Sequence, residues 1–174
     1  MLTEYLLAKI TLIIPVTLAW GYYSDTLLAG CSGAASAQGA TFSPTKVTAT
    51  VDGDNVSIPT NAVTADKNVE FDVVFTQGTA SYMAYYFKGG VQVRASVCVP
   101  CQGRSFTLKG NTLVCDTCGT VFSAQNGKGI SGVAACQNYP KASVTFNNNA
   151  DGTITMAKSD LLTAFTNTLT PGLP

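Results

Sequence analysis

Histidine is absent from the 174 residues. That excludes Ser-His-Asp and Cys-His nucleophile systems, His-ligated zinc hydrolases and His-ligated haem. Charge is scarce as well: ten basic and ten acidic side chains make up 11% of the chain and cancel. No basic run exists, so the electrostatic footprint of nucleic-acid binding is missing and nucleic acid is not expected as a partner. The carboxylates are scattered beside Gly, Asn or Lys in turn-like segments, and none forms a paired general acid and base. The chain is therefore expected not to be an enzyme.

Long apolar runs are confined to the N-terminus. Ile10 to Tyr23, about fourteen residues, falls short of the ~20 that cross a bilayer as a helix. With Lys9 before it, the run suits the apolar region of a signal peptide. Leu27-Leu28-Ala29-Gly30-Cys31 looks like a bacterial lipobox, in which Cys31 is lipidated and begins the mature chain. Tyr22-Tyr23-Ser24-Asp25 interrupts the apolar run before it. The rival readings are an uncleaved membrane helix with Lys9 snorkelling and a soluble buried helix. The organisation expected is residues 1–30 as signal peptide or membrane anchor, 31–45 as a flexible tether, and 46–174 as a β-rich metal-binding domain. This places the domain on the extracytoplasmic face of the cell membrane.

What the chain has in quantity is Thr, Val, Ser, Asn and Gly, the composition of short strands joined by polar turns. Alternation over Lys46–Val51, Val56–Ile58 and Val69–Phe75 predicts strands. Asp52-Gly53-Asp54-Asn55 reads as a turn, since the remaining ligands of a calcium loop are missing. Ser81–Phe87 and Val91–Val97 flank Lys88-Gly89-Gly90 as a hairpin. Its tyrosines are expected to pack the sheet with hydroxyls at the rim; an electron relay or partner face is the alternative. Ser123–Gly132 reads as a loop able to lie over a metal site. Ala142–Phe146 and Thr153–Met156 predict a last hairpin. Ser159 is the expected cap of a short helix over Asp160–Leu169. The class is mainly β, a small antiparallel sheet or sandwich with an N-terminal apolar helix and a short C-terminal helix.

The strongest signal lies in the cysteines, of which there are six. Cys98 and Cys101 form one C-x-x-C pair and Cys115 and Cys118 a second. Between them, Ser105–Leu108 and Thr112–Val114 flank the turn signal Lys109-Gly110-Asn111. A β-hairpin there brings both pairs to one end as a double knuckle. Four thiolates so gathered suit Zn²⁺, a single Fe or a [2Fe–2S] cluster. Disulfides are the competing outcome in an exported protein, and a thioredoxin-type pair is disfavoured because no helix pattern opens at either C-x-x-C. Gly103 and Gly119 follow the pairs closely, as backbone wrapping around thiolates requires. Cys136 reads either as a small buried apolar residue or as a second-shell or alternate ligand.

Val114-Cys115-Asp116-Thr117-Cys118-Gly119-Thr120-Val121-Phe122 resembles the V-C-x-N-C-G-x-x-F pattern of a family of small membrane-associated bacterial and archaeal domains. That family contains iron–sulfur centres, and some members are fused to or encoded with iron-permease-like membrane proteins. Its later Gly-Gly-Cys-Asn-Pro pattern is followed loosely by Ala134-Ala135-Cys136-Gln137-Asn138-Tyr139-Pro140. The resemblance spans about Val47 to Ile154. The same segment is similar to the cluster end of Rieske domains and to zinc ribbons, with C-x-x-C in both knuckles where a Rieske site has histidines.

The reading that follows is a membrane-tethered, extracytoplasmic iron–sulfur or mononuclear-iron protein. It would act as a one-electron carrier or redox subunit, with a membrane protein or redox partner. The alternatives are a structural zinc-ribbon subunit of a membrane complex, and an iron- or copper-handling protein whose thiolates are a transfer site.

Overall fold

The fold was analysed in a computed structural model, which describes residues 39–173. The N-terminal apolar segment, Cys31 and the first part of the tether lie outside the described residues.

In chain order the elements are β1 (Thr41–Phe42), β2 (Thr45–Lys46), β3 (Thr50–Asp52), β4 (Asn55–Pro59), α1 (Thr60–Asp66) and β5 (Asn68–Phe75). They continue with β6 (Gly78–Phe87), β7 (Gly90–Ala95), β8 (Phe106–Lys109), β9 (Thr112–Cys115), β10 (Val121–Ser123) and β11 (Gly129–Ser131). Last come α2 (Ala134–Gln137), β12 (Asn147–Asn148), β13 (Thr153–Ala157) and α3 (Lys158–Leu169). The strands form three sheets, ordered β2-β5-β6-β7, β12-β13-β4-β3 and β1-β8-β9-β10-β11. The mainly β class is as the sequence indicates. One pairing departs from the antiparallel expectation: β2 runs parallel to β5, with Thr45 opposite Val69.

β6 is the shared wall of the domain. Successive strand residues point to opposite faces. Tyr82 and Ala84 join a core with Phe71 and Val73 of β5, Ile58 of β4, Ile154 of β13 and Leu161 of α3. Met83, Tyr85 and Phe87 face the other way, into a second core with Phe106, Leu113, Phe122 and the cysteines. Both faces of β6 are covered, which is why its burial is nearly continuous instead of alternating.

The tyrosine hydroxyls at positions 82 and 85 are therefore not at a rim. Tyr82 donates to Leu161 O at 2.9 Å. Tyr85 donates to Ala124 O and accepts from Arg94 Nε at 2.8 Å. Burial pushes both phenols above their ordinary pKa.

Several boundaries shift for local reasons. The folded domain starts before residue 46, because Thr41 and Phe42 pair with Lys109 and Leu108 of β8. Buried Asn68 fixes that junction by donating to Phe42 O at 3.0 Å and Phe106 O at 2.8 Å. The strand expected over Lys46–Val51 is split between β2 and β3, in two different sheets. α3 begins at Lys158 with Ala157, not Ser159, as its N-cap residue. The Lys158 N–H, one of the first-turn amides with no partner inside the helix, donates to Asp54 O at 2.9 Å. Helix α1 has no amphipathic signature, burying Val63 alone, and ends at Lys67 with φ 65°. Residues 142–146 run beside β7 through Ala95 N to Ala142 O and Val144 N to Val93 O, and only Asn147 and Asn148 pair with β13.

Candidate metal centre

Hairpin β8–β9 aligns Phe106 with Cys115, Leu108 with Leu113 and Lys109 with Thr112. Its turn at Gly110 and Asn111 leaves the opposite end to the cysteines. There the chain makes two knuckles. In the first, Cys98 N donates to Gly103 O at 2.7 Å, closing a loop around Cys101, with Gln102 at φ 56°. In the second, Gly119 N donates to Cys115 O at 2.8 Å and Cys115 N to Thr120 O at 2.9 Å, with Gly119 at φ 70°. Asp116, inside the second knuckle, accepts from Ser105 Oγ at 2.9 Å and Thr107 Oγ1 at 2.7 Å, tying the loop to the hairpin.

The result is a compact set of sulfurs. Cys98 and Cys118 are 3.9 Å apart and Cys101 and Cys115 3.7 Å apart, each pair drawn from both knuckles. All four ligand atoms lie within 4.8 Å of one another. Four sulfurs at ~2.3 Å from one cation stand about 3.8 Å apart at the corners of a tetrahedron. The residues present therefore fit a bound metal ion. None of the four is in a disulfide. Cys98 and Cys115 are buried, whereas Cys101 and Cys118 are partly exposed. Cys136, on α2, is also buried, with its sulfur 3.8 Å from that of Cys118 and outside the four-membered group.

The electrostatics divide the sulfurs. Burial drives the Cys98 thiol strongly upward and that of Cys115 up to about 11. Cys118 differs: burial opposes ionisation there, but hydrogen bonds from the Thr120 hydroxyl and backbone N–H outweigh it and hold the thiol at about 6. Thr120 Oγ1 is 3.1 Å from the Cys118 sulfur and accepts from Val133 N at 3.2 Å. With Cys118 ionised, the hydroxyl proton points at the thiolate. Thr120 is itself fully buried; sequence reading missed it, although its place directly after C-x-x-C-G was a usable signal.

Two further buried groups escaped the sequence reading. Arg94 donates to Tyr85 Oη, Lys141 O at 2.8 Å, Ser143 Oγ at 2.9 Å and Gln125 O at 2.7 Å. Lys141 is fully buried, its ammonium over the Phe122 ring and donating to the carbonyl of Val97, the residue before Cys98. Nothing in the surrounding sequence distinguishes either from a surface cation.

Two hairpin knuckles presenting four clustered cysteines on a β scaffold define a thiolate metal-binding protein. Residues 65–166 match the family described as membrane iron–sulfur containing protein FtrD-like, and the chain belongs to that family. The four cysteines of the site, and Cys136 beside them, fall inside the matched segment. No curated protein and no solved structure matches the chain. No helix among the described residues is long and apolar enough to cross a membrane.

Proposed function

We propose that this protein is a one-electron carrier in which Cys98, Cys101, Cys115 and Cys118 hold a single iron ion. The observation that carries this reading is the spacing of the sulfurs, every pair within 4.8 Å. That is the packing around one cation; a two-iron cluster places each pair of thiolates on a different iron and spreads the pairs further apart. Family membership supports iron over other metals. Iron in a four-thiolate site exchanges one electron, with a potential set by hydrogen bonds to sulfur, charge and solvent exposure.

The chain's own residues supply those controls. The knuckle hydrogen bonds at Gly103 and Gly119 hold the sulfurs in place before metal arrives. Phe106 and Phe122, with ring centroids 5.9 Å apart, exclude water from the inner side. Thr120 donates to the Cys118 thiolate, which steadies negative charge on that sulfur. The partly exposed sulfurs of Cys101 and Cys118 face the outside, and electrons enter and leave there. The N-terminal segment, with Cys31 as its lipidation site or as an uncleaved anchor, tethers the domain at the extracytoplasmic membrane surface beside a membrane-bound redox partner.

The same spacing fits Zn²⁺, which would make the centre a structural brace without redox chemistry. Metal and acid-labile sulfide content of protein purified without oxygen separates the two. One iron per chain, no sulfide, and visible charge-transfer bands that bleach with dithionite are expected. Colourless protein with stoichiometric zinc would sink the carrier reading.

A further inference from the structure

Lys141 is fully buried, at 0% exposure. Its ammonium donates to Val97 O at 2.7 Å and Tyr139 O at 2.6 Å. The Phe122 ring centroid is 4.4 Å away and that of Phe106 5.6 Å. Two carbonyls and two ring faces offer only partial negative charge. Among the described residues the one ion pair is Lys46–Asp72, so no carboxylate answers this cation. An ammonium sealed from water without a counter-charge is strongly unfavourable.

Its position is nonetheless firmly built. Lys141 N donates to Gly127 O at 2.9 Å, and Lys141 O accepts from Arg94 at 2.8 Å. A Cβ at Gly127 would overlap that same carbonyl oxygen at 2.1 Å. The backbone is thus clamped on both sides, and the side chain reaches from the clamp to the cysteine core. Val97, whose carbonyl it holds, directly precedes Cys98. Phe106 and Phe122 pack in one cluster with Cys98, Cys115 and Cys136.

We infer that Lys141 is the buried counter-charge of the metal–thiolate centre, a positioning residue that offsets the negative charge left when four thiolates surround one ion. A divalent ion with four thiolates is doubly negative and a trivalent one singly negative. A fixed positive charge therefore strengthens metal binding and favours the reduced, more negative state. The inference rests on the four cysteines binding metal, as proposed above, but not on the metal being iron.

The test compares the full chain with Lys141→Gln and Lys141→Met. Glutamine keeps a donor for the carbonyls without the charge; methionine removes both. Zn²⁺ affinity is read by competition with a chromophoric chelator, and near-ultraviolet circular dichroism checks that each variant is folded. Both variants are expected to bind Zn²⁺ at least tenfold more weakly. In iron-loaded protein both should also show a tenfold lower reduced-to-oxidised ratio at fixed poise, about 59 mV for one electron. Native affinity in Lys141→Gln with weak binding only in Lys141→Met would assign Lys141 a hydrogen-bonding role and overturn the inference, as would native affinity in both. A chain that binds Zn²⁺ but takes up no iron would defeat the carrier reading and leave the Zn²⁺ comparison to decide the role of Lys141.

Discussion

Gly103 and Cys115 are packed so closely that a Cβ on the first would stand 2.8 Å from the sulfur of the second, and 2.7 Å from Thr117 Oγ1. The glycine after the first C-x-x-C is thus required for clearance across the site, not for a left-handed backbone. Gly103→Ala should push the two knuckles apart and weaken metal binding at least tenfold. Chelator competition measures this; native affinity would mean that the knuckles are not in such contact.

Thr120 gives a pH-dependent expectation. In reduced, metal-free protein the Cys118 thiol titrates at about 6 and Cys115 at about 11. Site-resolved alkylation followed by mass spectrometry should show Cys118 reacting fully at neutral pH while Cys115 stays protected. The Thr120 hydroxyl stabilises the charged form, so Thr120→Val moves the Cys118 midpoint upward, toward the ordinary value of 9.0. A folded pKa below the unfolded one adds stability that is complete above pH 9 and lost as pH falls through 6. The melting temperature of metal-free native protein should respond to pH across that window more than that of Thr120→Val.

The four-sulfur set and Cys136 separate by substitution. Serine at Cys98, Cys101, Cys115 or Cys118 should abolish stoichiometric metal, measured by mass spectrometry under native conditions. Cys136→Ser should retain it, because the Cys136 sulfur approaches Cys118 at 3.8 Å without belonging to the group that encloses the ion. Loss of metal in Cys136→Ser would make it a ligand in its own right.

The two cores predict independent effects. Leu161 is wholly buried in the core on the far face of β6 from the cysteines. Leu161→Ala should cost about 2–5 kcal/mol in denaturant unfolding. Metal affinity of the folded fraction should stay native. A coupled loss would show that β6 transmits packing strain from one face to the other.

Much of the site was legible from residue order. The pair spacing and the Lys109-Gly110-Asn111 turn specify a hairpin with both C-x-x-C pairs at one end, and the structure has that hairpin. Strand patterns over β5, β6 and β7 were readable because alternation or β-branched content was strong there. α1 was not, since Thr60–Asp66 offers one buried side chain and no capping side chain. The start of α3 differs from the serine-capped expectation because the helix opens before Ser159, with no capping side chain, and its first amide is satisfied by the distant carbonyl of Asp54. The tyrosine hydroxyls were misplaced for a related reason. A strand buried on both faces has the same composition as one with a wet edge, and only the third sheet reveals the difference. Lys141 and Arg94 were invisible because a cation's burial depends on what folds over it.

The pairing of β1 with the turn end of β8 has a mechanical consequence. Ala40 O accepts from Gly110 N at 3.0 Å, so the polypeptide leading into the domain is gripped where the hairpin reverses. Cys115 stands at the other tip, about 10 Å along the strand at ~3.4 Å per residue. Force or confinement arriving through the leading segment is borne by the blunt, metal-free tip. The sulfur-bearing tip lies at the opposite end of the hairpin from that grip.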